Sequence, residues 1–429
     1  MYGTKVDLGG LNMSKVTIAL IGAGDRGKDR YGEYAISFPE NVQFVAVAEP
    51  NPIKRDEFAK KHAIKPENIF TTWEELLEKE QLADGIIIAT QDDMHYEPTK
   101  WALDKGYDVL LEKPMSNDIN ETIQLGELSK KYENTFMICH VLRYTPFFAR
   151  LKELIESGVI GDVMSIQHNE NIAYYHMAHS FVRGNWRNSD DSSPIILAKS
   201  CHDMDIILWL VGERCNAISS FGELGHFNSS HAPIGSSDRC LTCKIEPSCP
   251  YSAKKLYYKN LGNWPTTTVT DVQTKESLTK ALESGPYGRC VYQCDNNVCD
   301  HQVTIMTFEN GVTATFNLSA FTEKQNRTIK IMGTLGELRG DDVQNVIELK
   351  TFASDTSQLI KPEIVRGGHG GGDTGIMNDF VKLLEGKPGE ALTSAEISVE
   401  SHVMAFAAEQ SRVTGQTVGI KEFYHKILK

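Results

Sequence analysis

The stretch Val16-Thr-Ile-Ala-Leu-Ile-Gly22-Ala-Gly24-Asp-Arg-Gly27 decides the fold of this chain. Its first six residues are apolar or β-branched, which is typical of a strand buried on both faces. The spacing Gly-x-Gly-x-x-Gly then leads into a segment with helical periodicity. We interpret it as the turn that receives a dinucleotide diphosphate. Gly22 permits the tight turn, Gly24 lets the backbone approach the phosphates, and Gly27 lets helix and strand pack closely.

The residues after this glycine turn favour the same interpretation. A second apolar run, Val42 to Ala48, follows at the distance of a βαβ unit and ends in Glu49, 22 residues after Gly27. An acidic side chain there can hold both ribose hydroxyls and repel a 2′-phosphate, so NAD is favoured over NADP. A purely structural turn is the alternative, because a glycine triplet alone is weak evidence.

Composition limits the class of protein. The 429 residues indicate two domains. The net charge is −13 and there is no long Lys/Arg block, so nucleic acid and anionic membranes are poor partners. No apolar run approaches the ~20 residues of a membrane span. Nine cysteines in a large chain without signal-peptide features lead us to expect a reducing cytoplasm.

Strand and helix patterns alternate regularly in the first third of the chain. We predict strands at residues 86–88, 109–111 and 135–138, and helices at 97–105 and 120–131. Repeated βα units imply a parallel sheet with helices on both faces. Gly22 and Glu49 follow two of the strands, and Thr90 and Glu112 follow two others. All four should meet in one crevice, because doubly wound sheets bind ligands beyond the carboxyl ends of their strands.

The pattern changes after about residue 145 to alternating apolar and polar residues, with Asn310-Gly311 as a strong hairpin turn. We therefore predict an α/β protein with a Rossmann-type doubly wound sheet at residues 14–142. An α+β domain with an open, mostly antiparallel sheet should span 143–429. Residues 1–13 are interpreted as a disordered leader, and about 222–300 as an insertion. Late helices at 375–384 and 394–412 should pack back on the body of the protein.

A second glycine-rich stretch runs from Gly367 to Gly372, with His369 inside it. It is typical of a mobile loop that closes over a site, and equally of a linker. The sequence leaves both interpretations open.

Two segments carry side chains suited to proton transfer. Lys113 follows a strand between Glu112 and Pro114. A lysine partly desolvated there can exchange a proton with a hydroxyl, although a solvated lysine is the alternative. His202 and Asp205 share one face of an apolar helix, so Asp205 could fix the tautomer of His202. A capping aspartate and a buried structural histidine would give the same pattern.

A polar and aromatic stretch between residues 170 and 199 suits a polyhydroxylated substrate, since it combines ring faces with hydrogen-bond donors. An ordinary solvated loop is the alternative. The candidates in this stretch are Tyr175, His176, His179, Trp186, Arg187 and Lys199. His140, Arg143 and Tyr144 at the predicted domain junction are further candidates.

The cysteines of the insertion fall into two groups. Cys240-x2-Cys243-x5-Cys249, with Cys294 from the second group, could make a four-coordinate structural zinc site. Disulfides or reduced thiols are the alternatives. A catalytic cysteine is disfavoured, because no base is positioned beside one.

Taken together, these motifs resemble the glucose–fructose oxidoreductase and inositol dehydrogenase family (Gfo/Idh/MocA), from about Lys15 onward. The matching motifs are the glycine turn, Ala48-Glu-Pro50, Thr90 to His95, Glu112-Lys-Pro114, His202-x-x-Asp205, Gly333-Thr-Leu-Gly336 and Ala405 to Gly415. The resemblance implies that Lys113 contacts the hydroxyl being oxidised and that His202 accepts its proton. It also implies a homodimer or homotetramer paired through the open sheet face.

Three departures from the family pattern bear on the substrate and the proton relay. Ala198, followed by Lys199, replaces an aspartate four residues before the histidine. Thr90-Gln-Asp92 replaces the usual Thr-Pro-Asn, and many relatives lack the insertion. The residues predicted to contact NAD are Gly22, Ala23, Gly24, Asp25, Arg26, Gly27, Glu49, Arg55, Thr90, Asp92, His95, Glu112 and Lys113.

Three functions fit the sequence. The first is NAD-dependent transfer of hydride from a secondary hydroxyl of a sugar or cyclitol. The second is redox-neutral, NAD-dependent glycoside hydrolysis with a tyrosine such as Tyr144 or Tyr175 as carbon base. The third is a regulator that senses NAD without turnover, which the retention of Lys113 and His202 disfavours.

Overall fold

A computed structural model describes residues 15–365, 367–389 and 391–427; the predicted leader lies outside these ranges. The first sheet has six strands in the order β3-β2-β1-β4-β5-β6. The strands are β1 Val16–Ile21, β2 Val42–Ala48, β3 Ile69–Phe70, β4 Gly85–Ile88, β5 Asp108–Leu111 and β6 Phe136–Ile138. Every neighbouring pair is parallel, so the predicted doubly wound sheet is confirmed.

Helices cover this sheet and begin where the sequence provides capping residues. They are α1 Glu33–Ser37, α2 Pro52–Lys61, α3 Trp73–Leu77, α4 Tyr96–Asp104 and α5 Ile119–Lys131. Asn51 caps α2 by accepting hydrogen bonds from two backbone N–H groups, and Asp118 does the same for α5. A π-helical turn, Gly27–Gly32, joins the glycine turn to α1.

The second sheet has nine strands in the order β14-β13-β12-β11-β7-β10-β9-β8-β15. They are β7 Val163–Ala173, β8 Cys215–Glu223, β9 His301–Phe308, β10 Thr313–Thr322, β11 Asn326–Gly333, β12 Gly336–Asp341, β13 Val346–Thr351, β14 Ser357–Ile360 and β15 Val418–Gly419. Only β7 and β10 pair in parallel, which confirms a mostly antiparallel sheet. The predicted hairpin at Asn310-Gly311 joins β9 to β10.

The remaining helices support the second sheet and return to the first. They are α6 Pro146–Glu156, α7 Tyr174–His176, α8 Ile195–Ala198, α9 Cys201–Val211, α10 Ala253–Lys259, α11 Lys275–Ser284, α12 Gly372–Leu384, α13 Ala395–Thr414 and α14 Ile420–Ile427. α12 packs on the first sheet, where Phe380 lies against Gly85. α13 buries Ala405, Ala407 and Ala408 completely, as a helix packed back on the body does.

The insertion between β8 and β9 builds a small core of its own around α10 and α11, with Tyr257 and Leu278 fully buried. The boundary at residues 142 and 143 stays a prediction, since the chain crosses between the two sheets again at α12. None of the helices in the described ranges has the length and hydrophobicity that a membrane crossing requires.

Candidate active site

The glycine turn has the three spatial properties that its spacing predicts. Gly22 has φ +90°, and a Cβ there would lie 2.5 Å from the carbonyl oxygen of Ala89. A Cβ on Gly27 would lie 2.0 Å from the carbonyl oxygen of Gly22. A Cβ on Gly24 would have nothing within 4 Å, so the backbone there faces open space. The first and third glycines are required by close packing, and the second leaves room for a ligand.

Glu49 lies at the end of β2 beside this turn. Its two carboxylate oxygens accept the backbone N–H groups of Ala23, at 2.7 Å, and Asn51, at 2.9 Å. Arg55 donates to the Glu49 carbonyl oxygen at 2.9 Å. These bonds hold the carboxylate at the position where ribose hydroxyls are bound in such folds.

Arg26 is the centre of an ion-pair network at the start of the helix. Its Nε lies 2.5 Å from a Glu112 oxygen, and its other nitrogens lie 2.9 and 3.0 Å from the Asp373 carboxylate. The Tyr31 hydroxyl also bonds Glu112 and Arg26. Burial alone would raise the pKa of both carboxyls, but Arg26 holds each pKa below its ordinary value. Neither Tyr31 nor Asp373 is among the residues predicted for the site from the sequence.

The loop after β4 is tied to protein groups. Asp92 is buried and accepts from Trp186 Nε1, at 3.1 Å, and from Ser193 Oγ, at 2.7 Å. His95 is also buried, with Nδ1 2.6 Å from the carbonyl oxygen of Pro114. Asp92 anchors Trp186, and His95 supports the Glu112-Lys113-Pro114 segment; the predicted contacts of both residues with the cofactor stay predictions.

The other loop residues predicted at the cofactor make local contacts. Thr90 Oγ1 donates to the Met94 carbonyl oxygen at 3.1 Å. Asp25 lies 3.6 Å from Arg30 in a partly exposed ion pair. Their contacts with the cofactor stay predictions.

Lys113 and His202 occupy one site. Lys113 Nζ donates to the carbonyl oxygen of Ala198 at 2.8 Å, so a lysine from the first sheet reaches the helix pair that carries His202. Burial lowers the pKa of His202 well below its ordinary value, and the positive charge of Lys113 lowers it further. Both effects favour the neutral imidazole, the form that a general base must have before it takes up a proton.

The predicted contact between Asp205 and His202 is wrong. Both Asp205 oxygens bind Arg143, at 2.7 and 2.8 Å, and Nδ1 of His202 is buried without a hydrogen-bond partner in the described chain. His140 lies between the two, with Nε2 3.9 Å from Asp205 and its ring 5.8 Å from the His202 ring. The helical spacing put both residues on α9 but did not reveal that Arg143 faces the carboxylate.

Arg143 was predicted as a substrate contact and Tyr144 as a carbon base. In the structure the side chains of both residues are bound to carboxylates of the protein. Arg143 is buried in the ion pair with Asp205. The Tyr144 hydroxyl donates to Asp379 at 2.8 Å, and burial together with Asp379 raises its pKa far above the ordinary value. A buried phenol bonded to a carboxylate is a poor base.

The aromatic stretch divides between the site and the insertion. Lys199 lies near His202, with Nζ 3.3 Å from Glu170, and burial lowers its pKa. His176 bonds Gln325, and burial with the nearby Lys199 lowers the pKa of His176 to about 3. Tyr175 borders a groove beside Trp264. Lys199 and His176 lie close enough to Lys113 for its charge to lower their pKa values, and contact of any of the three side chains with a substrate stays a prediction.

His179 and Arg187 serve the insertion instead, which corrects their prediction as substrate contacts. The His179 ring bonds Tyr257 at 2.9 Å and stacks on Tyr287 at 4.9 Å. Arg187 forms a two-pronged ion pair with Asp295, at 2.8 and 3.0 Å. A single sequence could not show which polar residues an insertion covers.

The cysteine prediction is corrected as well. Cys240, Cys243 and Cys249 border one small cavity, but Cys290 rather than Cys294 completes the set. The thiols are free, and the described residues contain no group of three or more His, Cys, Asp or Glu side chains arranged to hold a metal ion. Structural zinc is therefore not supported.

The glycine-rich loop brings a residue to the site that sequence spacing did not assign. His369 has its ring 5.9 Å from the His202 ring. Its Nδ1 lies 3.0 Å from an Asp373 oxygen. The signal that could have found it is the spacing His369-x3-Asp373 at the start of a helix, which puts both on one face.

These features are those of a dinucleotide-dependent oxidoreductase. The chain matches the oxidoreductase family with an NAD-binding Rossmann fold over residues 16–140, and the C-terminal alpha/beta domain of the same family over residues 152–420. It belongs to the Gfo/Idh/MocA oxidoreductase family and is an NAD-dependent enzyme of that class. The open backbone at Gly24 and the anchored Glu49 carboxylate fit this cofactor.

Three similar proteins illustrate the range of the family. The protein YteT of Bacillus subtilis (strain 168), named as an oxidoreductase without a stated substrate, is 25% identical over 368 residues, covering 80% of this chain and 82% of its own. A 2,7-anhydro-N-acetylneuraminate hydratase of Escherichia coli (strain K12) is 26% identical over 199 residues, 46% of this chain and 51% of its own. A levoglucosan dehydrogenase structure with NADH and levoglucosan has TM-score 0.71 at 18% identity, covering 95% of this chain and 100% of its own. At that identity the likeness supports the fold alone.

Proposed function

We propose that this protein oxidises a secondary hydroxyl of a sugar or cyclitol and passes the hydride to NAD. The observation that carries the proposal is the meeting of Lys113 and His202 in one site, beside the crevice that begins at the glycine turn. The polar side chains of Lys199 and His176, which lie close to Lys113, suit a substrate with several hydroxyls. The family membership supports NAD-dependent oxidation as the reaction.

The residues divide the work as follows. The backbone at Gly24 and the Glu49 carboxylate would hold NAD, which supplies a hydride acceptor when bound. Lys113 donates a hydrogen bond to the substrate hydroxyl oxygen, and its positive charge stabilises the negative charge that develops there. Both effects favour loss of the hydroxyl proton. His202, neutral because burial and Lys113 lower its pKa, is positioned to take that proton.

Redox-neutral chemistry is the second candidate. It is favoured by one observation, the likeness to a hydratase, whose named reaction involves no net oxidation. Tyr144 is a poor carbon base because its hydroxyl is bonded to Asp379, so Tyr175 is the remaining tyrosine of the two. In this scheme the same hydroxyl is oxidised transiently, and an adjacent C–H proton is removed before NAD is restored.

One experiment separates the candidates. The purified protein is incubated with NAD⁺ and a panel of free sugars, anhydrosugars, inositols and aryl glycosides, and NADH absorbance and aryl release are followed together. Net NADH with a free sugar or inositol supports the dehydrogenase, and aryl release without NADH supports the redox-neutral scheme.

Lys113→Met should lower either rate by about 10²–10⁴-fold, the usual contribution of acid–base groups. Lys426→Met, on exposed α14, is the control. Absence of both products, or equal rates in the two variants, would contradict the proposal.

Location and assembly are proposed from the sequence. A reducing cytoplasm suits nine free cysteines. A homodimer or homotetramer through the open face of the nine-stranded sheet is expected from the family resemblance. Sedimentation at micromolar concentration would test the assembly.

A further inference from the structure

The glycine-rich loop Gly367–Gly372 carries a histidine that the proposed function does not use. The ring of His369 lies 5.9 Å from the ring of His202, and the ring planes are inclined by 55°. Between these two residues lie more than 160 positions of sequence, so the fold has brought two imidazoles to one site from separate segments.

Asp373 orients His369. The Nδ1 atom lies 3.0 and 3.2 Å from the two Asp373 oxygens, so its N–H donates to the carboxylate. Nε2 is then the proton-accepting nitrogen. Nε2 makes no hydrogen bond within the described ranges, and the side chain is 38% exposed, which leaves it open to a small molecule. This is the carboxylate–imidazole arrangement that the sequence predicted for Asp205 and His202.

The surroundings of the two imidazoles differ. The titratable side chains that act on His202 are Lys113, His140, His369 and Arg327, and each of them opposes its protonation. Burial lowers the pKa of His369 as well, but His369 also faces one anion, Asp373 on α12, beside the cations Arg26 from the glycine turn and Lys199 from the end of α8. A base must hold the proton it accepts, and a bonded carboxylate stabilises the imidazolium. His369 is therefore better equipped than His202 to keep the proton.

The loop backbone is shaped to hold this pair together. His369 has φ +48°, a left-handed conformation that is unfavourable for a residue with a Cβ. A Cβ on Gly368 would lie 2.0 Å from an Asp373 oxygen, so only glycine permits the approach. Asp373 is itself fixed by two hydrogen bonds from Arg26. Strained conformations of this kind persist where neighbouring structure fixes them, and they cluster at functional sites.

We propose that His369 is a second catalytic base of this site, held in place by Asp373 as its positioning residue. The proposal rests on the proposed function and deepens it. In this refinement His369 takes the place of His202 as acceptor of the hydroxyl proton: the substrate O–H bond breaks and its proton goes to Nε2 of His369. The C–H bond on the same carbon breaks, its electron pair and hydrogen pass to NAD⁺, and a C=O bond forms. His202 stays neutral in this scheme, because burial and its cationic neighbours lower its pKa.

Chemical rescue tests the base role. His369→Gly suits the left-handed backbone at this position, so the fold should be retained. With NAD⁺ and the sugar that the wild type oxidises, we expect the rate to fall by about 10²–10⁴-fold. Added imidazole should restore it by about tenfold or more, because the removed ring leaves an accessible space. His231→Gly, which removes a surface imidazole from the insertion, is the matched control and should change nothing.

A loss that imidazole does not restore, or a rate equal to that of the wild type, would overturn the assignment. If the wild type itself oxidises no sugar and releases no aryl group, the proposed function fails and the base role fails with it. If the wild type is active and His369→Gly is equally active, only the base role fails.

A measurement independent of turnover tests the orientation. Imidazole ¹⁵N spectra of the NAD-loaded protein are recorded, and the His369 signals are assigned by their absence in His369→Gly. In the wild type we expect the His369 tautomer with its proton on Nδ1. In Asp373→Asn we expect this tautomer to be lost, or to be mixed with the Nε2 tautomer, because the hydrogen-bond acceptor is weaker. A proton on Nε2 in the wild type, or an identical spectrum in Asp373→Asn, would overturn the pairing.

Discussion

The glycine turn at Gly22–Gly27 and the glycine-rich loop at Gly367–Gly372 use the same residue for different reasons. In the turn, a Cβ on Gly27 would collide with a backbone carbonyl at 2.0 Å, so glycine is needed for close packing. In the loop, Gly370 has open space around its Cβ position but φ +62°, so glycine is needed for handedness. Glycine content therefore does not distinguish a ligand-binding turn from an ordinary loop. The two are distinguished by the strand that precedes the glycines and by the side chains that the backbone positions.

Arg26 joins these two regions, and its removal should have the largest effect on stability. Its partners Glu112 and Asp373 have side chains only 6% and 5% exposed. Arg26→Met leaves two buried carboxylates without their cation, which costs about 3–5 kcal/mol when such a pair is broken. Urea unfolding at pH 7 measures the loss.

The control for this prediction is a neighbouring arginine. Arg30→Met removes a partly exposed side chain whose ion pair with Asp25 is 3.6 Å long. Exposed pairs of this kind contribute less than about 1 kcal/mol. Equal losses in the two variants would show that the Arg26 network does not link the turn to the loop.

A matched pair of alanine substitutions separates the two uses of glycine. Gly27→Ala should lower the free energy of unfolding by about 2–3 kcal/mol, because the backbone must move to admit the methyl group. Gly370→Ala should cost only about 1 kcal/mol, the penalty of a left-handed backbone for a residue with a Cβ. Urea unfolding of both variants against the wild type gives the difference. The reverse order would contradict the distinction drawn between packing and handedness.

The fold was largely predictable because it rests on local patterns. The buried run that became β1, the acidic end of β2 and the hairpin at Asn310-Gly311 each follow from nearest-neighbour chemistry. The parallel pairing of β7 with β10 in the otherwise antiparallel second sheet was not predictable, because it joins strands that are about 150 residues apart. Nothing local in either strand records the direction of its neighbour.

Site residues could be predicted only where one short segment of the sequence contains the complete motif. Lys113 and His202 were found through short motifs, whereas the partner of Asp205 was assigned to the wrong residue. Side chains from α9 and from the segment before α6 meet only in three dimensions, so spacing on α9 could not reveal Arg143. For the same reason the glycine-rich pattern around His369 predicts a mobile loop or a linker equally and does not predict the approach of His369 to His202.

Gly24 tests the ligand-binding half of the comparison. A Cβ on Gly24 would touch nothing within 4 Å, so Gly24→Ala should leave the free energy of unfolding within about 0.5 kcal/mol of the wild type. Its methyl group would occupy the space through which the diphosphate approaches the backbone. We expect the dissociation constant for NAD⁺ to rise about tenfold, or about 1.4 kcal/mol, measured by calorimetry.

The control for Gly24 is Gly389→Ala, where the nearest neighbour of a new Cβ is a Leu383 side-chain carbon at an ordinary 3.7 Å. It should change neither stability nor NAD⁺ affinity. Unchanged affinity in Gly24→Ala would mean that the diphosphate does not approach the turn at this glycine.

The loop's anchor should also be visible in the dependence of stability on pH, the smallest effect of the series. The Arg26 guanidinium and the His369 ring hold the pKa of Asp373 well below its ordinary value, despite burial that would raise it. A carboxyl whose folded pKa lies below its unfolded value of about 3.9 contributes stability that is present above that value and is lost as pH falls. Between about pH 5 and pH 3, wild-type stability should therefore fall more steeply than that of Asp373→Asn, by at most about 1.4 kcal/mol per pH unit for one proton. Asp355→Asn, which removes an exposed carboxylate in the turn after β13, should keep the wild-type slope. Parallel curves for wild type and Asp373→Asn would mean that the carboxylate is not held by Arg26 in solution, and the glycine-rich loop would then lack its tie to the glycine turn.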